Sequence, residues 1–117
     1  MEDFYTILST SSADGNFSYD VVINPAHKVF AGHFPGRPVV PGVMSLMLMR
    51  SCAEHALNIA PTRIAEMKDA VYMKPITPDG KTLHVTFSVS DSLDLKGQIA
   101  DEAGEVLMKT RMTLVRE

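Results

Sequence analysis

The stretch VMSLMLMRSCAEHA, Val43 to Ala56, carries the pattern from which the fold can be read. Val43, Met44, Leu46, Met47, Leu48, Met49, Cys52 and Ala53 point in nearly every direction around a helix. A surface helix keeps its apolar residues on one stripe; a helix apolar on all sides in its first two turns must be surrounded. No apolar run in the chain approaches the roughly 18 to 20 residues needed to span a bilayer, so the chain itself has to wrap this segment. Arg50, Ser51, Glu54 and His55 bring the far end of the helix toward the surface. The expectation is a helix from about Val43 to Leu57, buried in the concave face of a sheet.

The flanking sequence supplies that sheet. DFYTILSTSS and NFSYDVVI stand on either side of Asp14-Gly15, a pair suited to a tight hairpin because both turn positions tolerate positive φ. Beyond the helix, AEMKDAVYMK, KTLHVTFSVSD, LDLKGQIAD and EVLMKTRMTLV read as four strands, separated by PITPDG, Asp-Ser and EAG. Leu83, Val85, Phe87 and Val89 alternate with polar residues, and Val106, Met108, Thr110, Met112 and Leu114 form a second alternating set. Two strands, one enclosed helix and four more strands make an α+β fold, with a curved antiparallel sheet wrapped around one long helix. At 117 residues it forms a single domain, 1–117. Asn24 to about Pro41 reads as a loop, stiffened by Pro35, Pro38 and Pro41.

Composition excludes several functions. A formal net charge of -3, with eleven Lys and Arg scattered among fourteen Asp and Glu, offers no basic stripe to nucleic acid. The start MEDFYTIL is acidic where a signal peptide would be basic, which points to a cytoplasmic protein with no membrane partner. Cys52, the single cysteine, permits no disulfide within the chain and lies in an apolar stretch typical of a structural thiol. His27, His55 and His84 lack metal-ligand spacing and read as structural or solvent-facing, so no metal is expected.

Just ahead of the helix lies GHFPGRPVVPGV, Gly32 to Val43. This segment resembles the active-site motif of the 3-hydroxyacyl-[acyl-carrier-protein] dehydratases, enzymes of the hot-dog fold. INPAHKVFAGHFPG and AVYMKPITPDGKTLHV are similar to the neighbouring segments of the same family. The resemblance implies a hot-dog domain and removal of water from a 3-hydroxyacyl thioester held on acyl carrier protein, in fatty-acid or polyene-type lipid synthesis. It implies no cofactor. It gives His33 the role of the base that takes the α-proton, and imidazole suits that task near neutral pH. It gives Gly42, with Val43 beside it, the backbone N–H groups that meet the thioester oxygen, where a helix amino terminus has unpaired donors and a positive dipole end. Phe34 and Met47 join these as substrate-binding positions, with a cis peptide implied at His33–Phe34. The helix methionines read as adaptable core or as the lining of an acyl tunnel.

One position departs from the family. Its acid, a Glu or Asp five residues after the Gly of Pro-Gly, is replaced by Met47, and a thioether cannot donate a proton to a departing hydroxyl. Glu54 lies about 10 Å further along the helix axis, too far to substitute; Asp20, Glu66 and Asp69 read as surface residues. The resemblance further implies a homodimer, or a heterodimer with a homologous subunit, pairing sheets edge to edge with each site built across the interface. A non-catalytic acyl-carrier-binding subunit and a hot-dog acyl thioesterase are the alternatives. Arg37, Arg50 and Lys74 lie nearest the motif as cations for an acidic carrier.

Overall fold

The computed structural model describes residues 1, 3–34 and 36–117; the stiffening assigned to Pro35 lies outside the described residues. The elements are β1 (Tyr5–Ala13), β2 (Asn16–Ile23), α1 (Val29–Gly32), α2 (Gly42–Leu57), β3 (Thr62–Tyr72), β4 (Leu83–Val89), β5 (Asp94–Ala100) and β6 (Val106–Arg116). The strands form one antiparallel sheet in the order β1-β2-β4-β5-β6-β3, leaving β1 and β3 at its edges. This is the expected α+β hot-dog arrangement.

Local chemistry explains the first hairpin. Asp14 and Gly15 both have positive φ, at 53° and 79°, and Ala13 pairs with Asn16 across the turn. Alternation then sets the faces of the sheet. Tyr19, Val21 and Ile23 of β2, Leu83, Val85 and Phe87 of β4, Leu95 and Ile99 of β5, and Met108, Met112 and Leu114 of β6 are buried. From α2 this core receives Leu48, Met49, Cys52 and Ala53, together with buried Ser45. Packing is tight at Gly97, where a Cβ would stand 2.8 Å from the Met49 sulfur and 2.9 Å from the Phe87 Cβ. Burial pushes the Cys52 thiol up to about 12, as suits a structural cysteine.

Three sequence expectations change. The first turn of α2 is not surrounded: Val43 is 62% exposed, while Met44 and Met47 are half-buried. A single sheet covers one side of a helix, and Val43, Met47, Arg50 and Glu54, spaced four, three and four apart, form the stripe facing away from it. The loop after β2 contains the one-turn helix α1, anchored by buried Phe30 and too short to register as periodicity. β3 begins at Thr62, three residues before the expected Ala65. Its register shifts at Ile64/Glu66 and Met67/Asp69, and these irregularities interrupt the two-residue alternation that marks a strand.

No helix among the described residues is long and apolar enough to cross a membrane.

Candidate active site at the amino end of the central helix

Pro41 stands at the N-cap of α2 and brings no side-chain oxygen to the helix start. Its carbonyl accepts the Met44 N–H at 2.9 Å and the Ser45 N–H at 3.2 Å. The N–H groups of Gly42 and Val43 find no acceptor among the described residues. Two backbone donors are thus left free at the positive end of a sixteen-residue helix, an arrangement suited to a developing negative charge.

The approach loop is held from several sides. The Val39 N–H donates to the His33 carbonyl at 3.1 Å, and the Val40 N–H reaches the Ile76 carbonyl, beyond β3, at 2.7 Å. Phe34 and Arg37 exchange two backbone hydrogen bonds, with Arg37 N–H to Phe34 carbonyl at 2.9 Å and the reverse bond at 3.4 Å. The His33–Phe34 peptide is cis. The His33 ring is half-buried and stacks on the Phe34 ring, with centroids 4.2 Å apart and planes 23° from parallel. Neither ring nitrogen of His33 has a hydrogen-bond partner among the described residues, so both remain available to a ligand or a second chain.

Two hollows flank this region and share Pro75. One, of about 380 Å³, is lined by Gly42, Ser45, Tyr72 and Lys74 among others. The second, of about 600 Å³, is lined by Phe34, Arg37, Val39 and Asp79 among others. Gly42 therefore faces a cavity within the chain, whereas His33 lines neither hollow. Gly42 has no side chain to fill the space beside it. In the structure the place of its missing Cβ is taken by the Tyr72 ring, whose hydroxyl oxygen lies 3.0 Å from where that Cβ would stand. Nothing in the local sequence marks Tyr72, thirty positions away, as a neighbour of Gly42.

Met47 occupies the half-buried outward stripe of α2, and the other carboxylates considered for its role are committed or distant. Glu54 Oε2 accepts the Thr62 N–H at 2.6 Å and the Thr62 hydroxyl at 2.8 Å. Asp69 pairs with Arg111 at 2.7 Å, Asp20 pairs with His84 at 2.6 Å, and Glu66 is exposed. The remaining histidines are similarly engaged: His55 with the Tyr19 hydroxyl at 2.6 Å, and His27 with the Val29 N–H at 3.1 Å and Asp3 at 3.4 Å. Of the three nearby cations, Lys74 pairs with Glu105 at 2.8 Å, Arg37 is exposed, and the Arg50 Nε is shielded from solvent without an acceptor among the described residues.

A family described as ApeI-like, ApeI dehydratase, matches residues 9–108, most of the chain. The chain belongs to the ApeI-like dehydratase family. This ApeI-like chain is also similar to the 3-hydroxyacyl-[acyl-carrier-protein] dehydratase FabZ of Thermus thermophilus, 38% identical over 71 residues that cover 55% of the chain and 48% of the relative. It spans about half the length of the curated relatives it matches. Among solved structures, the dehydratase heterocomplex ApeI:P from Xenorhabdus doucetiae superposes with a TM-score of 0.80 at 18% identity, covering 95% of this chain and 97% of that one. The E. coli PaaI protein from the phenylacetic acid degradation operon superposes at 0.65 with 13% identity, covering 99% of this chain and 81% of that one. At these identities the structural likeness concerns the hot-dog fold.

Proposed function

We propose that this ApeI-like chain binds a 3-hydroxyacyl thioester carried by an acyl carrier protein and performs the proton-abstracting half of its dehydration. The observation that carries this reading is the pair of unpaired N–H groups at Gly42 and Val43, directly behind the His33 loop. A ring nitrogen of His33 accepts the α-proton. The C–H electron pair forms a double bond between Cα and the carbonyl carbon, and the carbonyl π pair moves onto the thioester oxygen. The two backbone donors hold that oxygen. Loss of the 3-hydroxyl as water then creates the Cα–Cβ double bond and requires a proton donor, which Met47 cannot be.

An assembly in which a homologous subunit supplies that acid is the form in which this chain completes dehydration. Two observations support it. β3 is an eleven-residue edge strand, and exposed Met67, Val71 and Tyr72 lie on it with Met73 just beyond and Val43 exposed at the start of α2. An edge strand that exposes apolar side chains in this way invites another strand. The relative from Xenorhabdus doucetiae is itself described as a heterocomplex. Exposed Arg37, beside the hollow at Phe34, is the cation best placed to meet an acidic carrier.

The test uses a saturated acyl thioester, butyryl-pantetheine, in D₂O. Proton abstraction and return replace α-hydrogen by deuterium without needing the missing acid, and mass spectrometry reads the incorporation. His33-dependent incorporation with little hydration of crotonyl-pantetheine is the expected result for the chain alone. Release of free thiol without deuterium incorporation would replace this reading with a thioesterase.

A further inference from the structure

The carbonyl of Gly42 carries more hydrogen bonds than a helix start requires. The Ser45 hydroxyl donates to it at 2.6 Å from within α2, and the Tyr72 hydroxyl donates to it at 3.0 Å from the end of β3. A peptide unit is planar and trans, so fixing the Gly42 carbonyl also fixes the direction of the Val43 N–H on the opposite side of the same plane. That N–H is one of the two free donors at the helix start. Hydrogen bonds along a chain polarise one another, so donors at the carbonyl also strengthen the N–H behind it.

We infer that Tyr72 is a positioning residue that aims and polarises the Val43 N–H toward the thioester oxygen. The inference rests on the thioester-binding reading above. Tyr72 is well placed for this task. Its backbone lies opposite Met108 in the β3–β6 ladder, and the next residue, Met73, donates its N–H to the Leu107 carbonyl at 2.8 Å. The ring reaches from that anchored strand end into the space left by the absent Gly42 side chain. An alanine at position 42 would press on the ring at about 3.0 Å and strain the hydrogen bond. The same tyrosine lines the hollow of about 380 Å³ beside the helix start, so one side chain is both the hydrogen-bond donor and part of the cavity wall.

Tyr72→Phe keeps the ring and removes only the hydroxyl. Deuterium incorporation into butyryl-pantetheine is followed for the wild-type chain, Tyr72→Phe, Ser45→Ala and His33→Ala. The stretch of a ¹³C-labelled thioester carbonyl is recorded in the bound state by difference infrared spectroscopy. Loss of one such hydrogen bond should lower the exchange rate at saturation by about three- to tenfold while changing KM little. The bound carbonyl band should move back toward its value in water. Wild-type exchange in Tyr72→Phe overturns the inference, as does a rate loss accompanied by a lowered melting temperature and an unmoved carbonyl band. Tyr72 is half exposed, so this variant is expected to fold even if the one at buried Ser45 does not. If the wild-type chain neither exchanges α-hydrogen nor shifts the carbonyl band, the thioester reading fails and takes this inference with it. If His33-dependent exchange is present and Tyr72→Phe matches it, only the inference about Tyr72 fails.

Discussion

The two ends of α2 are built in opposite ways. At the carboxyl end every available device closes the helix. Asn58 takes the left-handed conformation at φ 54° and ψ 50°, and its N–H bonds to the Glu54 carbonyl, as does the Ile59 N–H at 3.2 Å. The Glu54 side chain joins the helix to the start of β3 through Thr62, which is only 3% exposed. The Ser51 and Tyr5 hydroxyls share a hydrogen bond at 2.7 Å, and burial pushes the Tyr5 phenol up to about 12. At the amino end the N-cap is a proline, two N–H groups find no partner among the described residues, and Val43 stands in the open. One end ties the helix into the fold, and the other leaves two backbone donors without acceptors among the described residues. Unsatisfied donors are a cost to folding that is recovered when something binds to them.

The largest test of that contrast is His33→Ala. It should reduce deuterium incorporation by about a hundredfold or more while leaving thermal stability nearly unchanged, since the ring makes no hydrogen bond that folding depends on. Met47→Glu sharpens the contrast from the other side. A carboxyl at the missing-acid position should raise hydration of crotonyl-pantetheine by about a hundredfold over the wild-type chain, because general acid help has at least that scale. It should also lower stability by about 1–3 kcal/mol in chemical denaturation, from placing a polar group on a half-buried apolar stripe. An increase in activity that persists when His33 is also replaced would show that the new acid is working outside the proposed site.

Glu54→Ala probes the closed end. It leaves the buried Thr62 N–H and hydroxyl without their acceptor and should cost about 2–3 kcal/mol in a urea titration. Exchange at saturation should change less than twofold when measured well below the melting temperature. A loss as severe as that from His33→Ala would break the division between the two ends. The smallest effect is expected on the outer face of the sheet. There the His84 ring holds the Asp20 carboxylate below its ordinary range, helped by the Ser9 hydroxyl at 3.1 Å. A depressed carboxylate pKa favours the folded state above the unfolded value of about 3.9, and that advantage disappears as the pH falls through the lower folded value. Asp20→Asn should therefore be less stable than wild type at pH 6, by under about 1 kcal/mol for a pair this exposed, with the gap closing below about pH 4.

How much of this could be read beforehand depended on the range of the interaction. The hairpin at Asp14-Gly15 was legible because a tight turn is decided by the two residues in it, and β2 was read with the bounds the structure has. The helix could be located because its apolar crowding excludes other places for it. The motif from Gly32 to Val43 was legible as a resemblance, since it is continuous in sequence. The start of β3 was obscured by its own register shifts, and α1 was too brief to leave a period.

The sequence alone determined the order of the strands and the long helix, their apolar faces, the position of His33 ahead of a proline-led helix, and the lack of a carboxylate at Met47. These are properties of neighbouring residues: turn dihedrals, two- and fourfold spacings, and the functional groups that side chains carry. Tertiary structure decided that Glu54 serves Thr62, that Val43 is left uncovered, and that Tyr72 fills the space beside Gly42 and donates to its carbonyl. Such contacts join residues eight to thirty positions apart. They exist only after the sheet has curled around the helix, because the curvature, and no local preference, sets which strand end meets which turn.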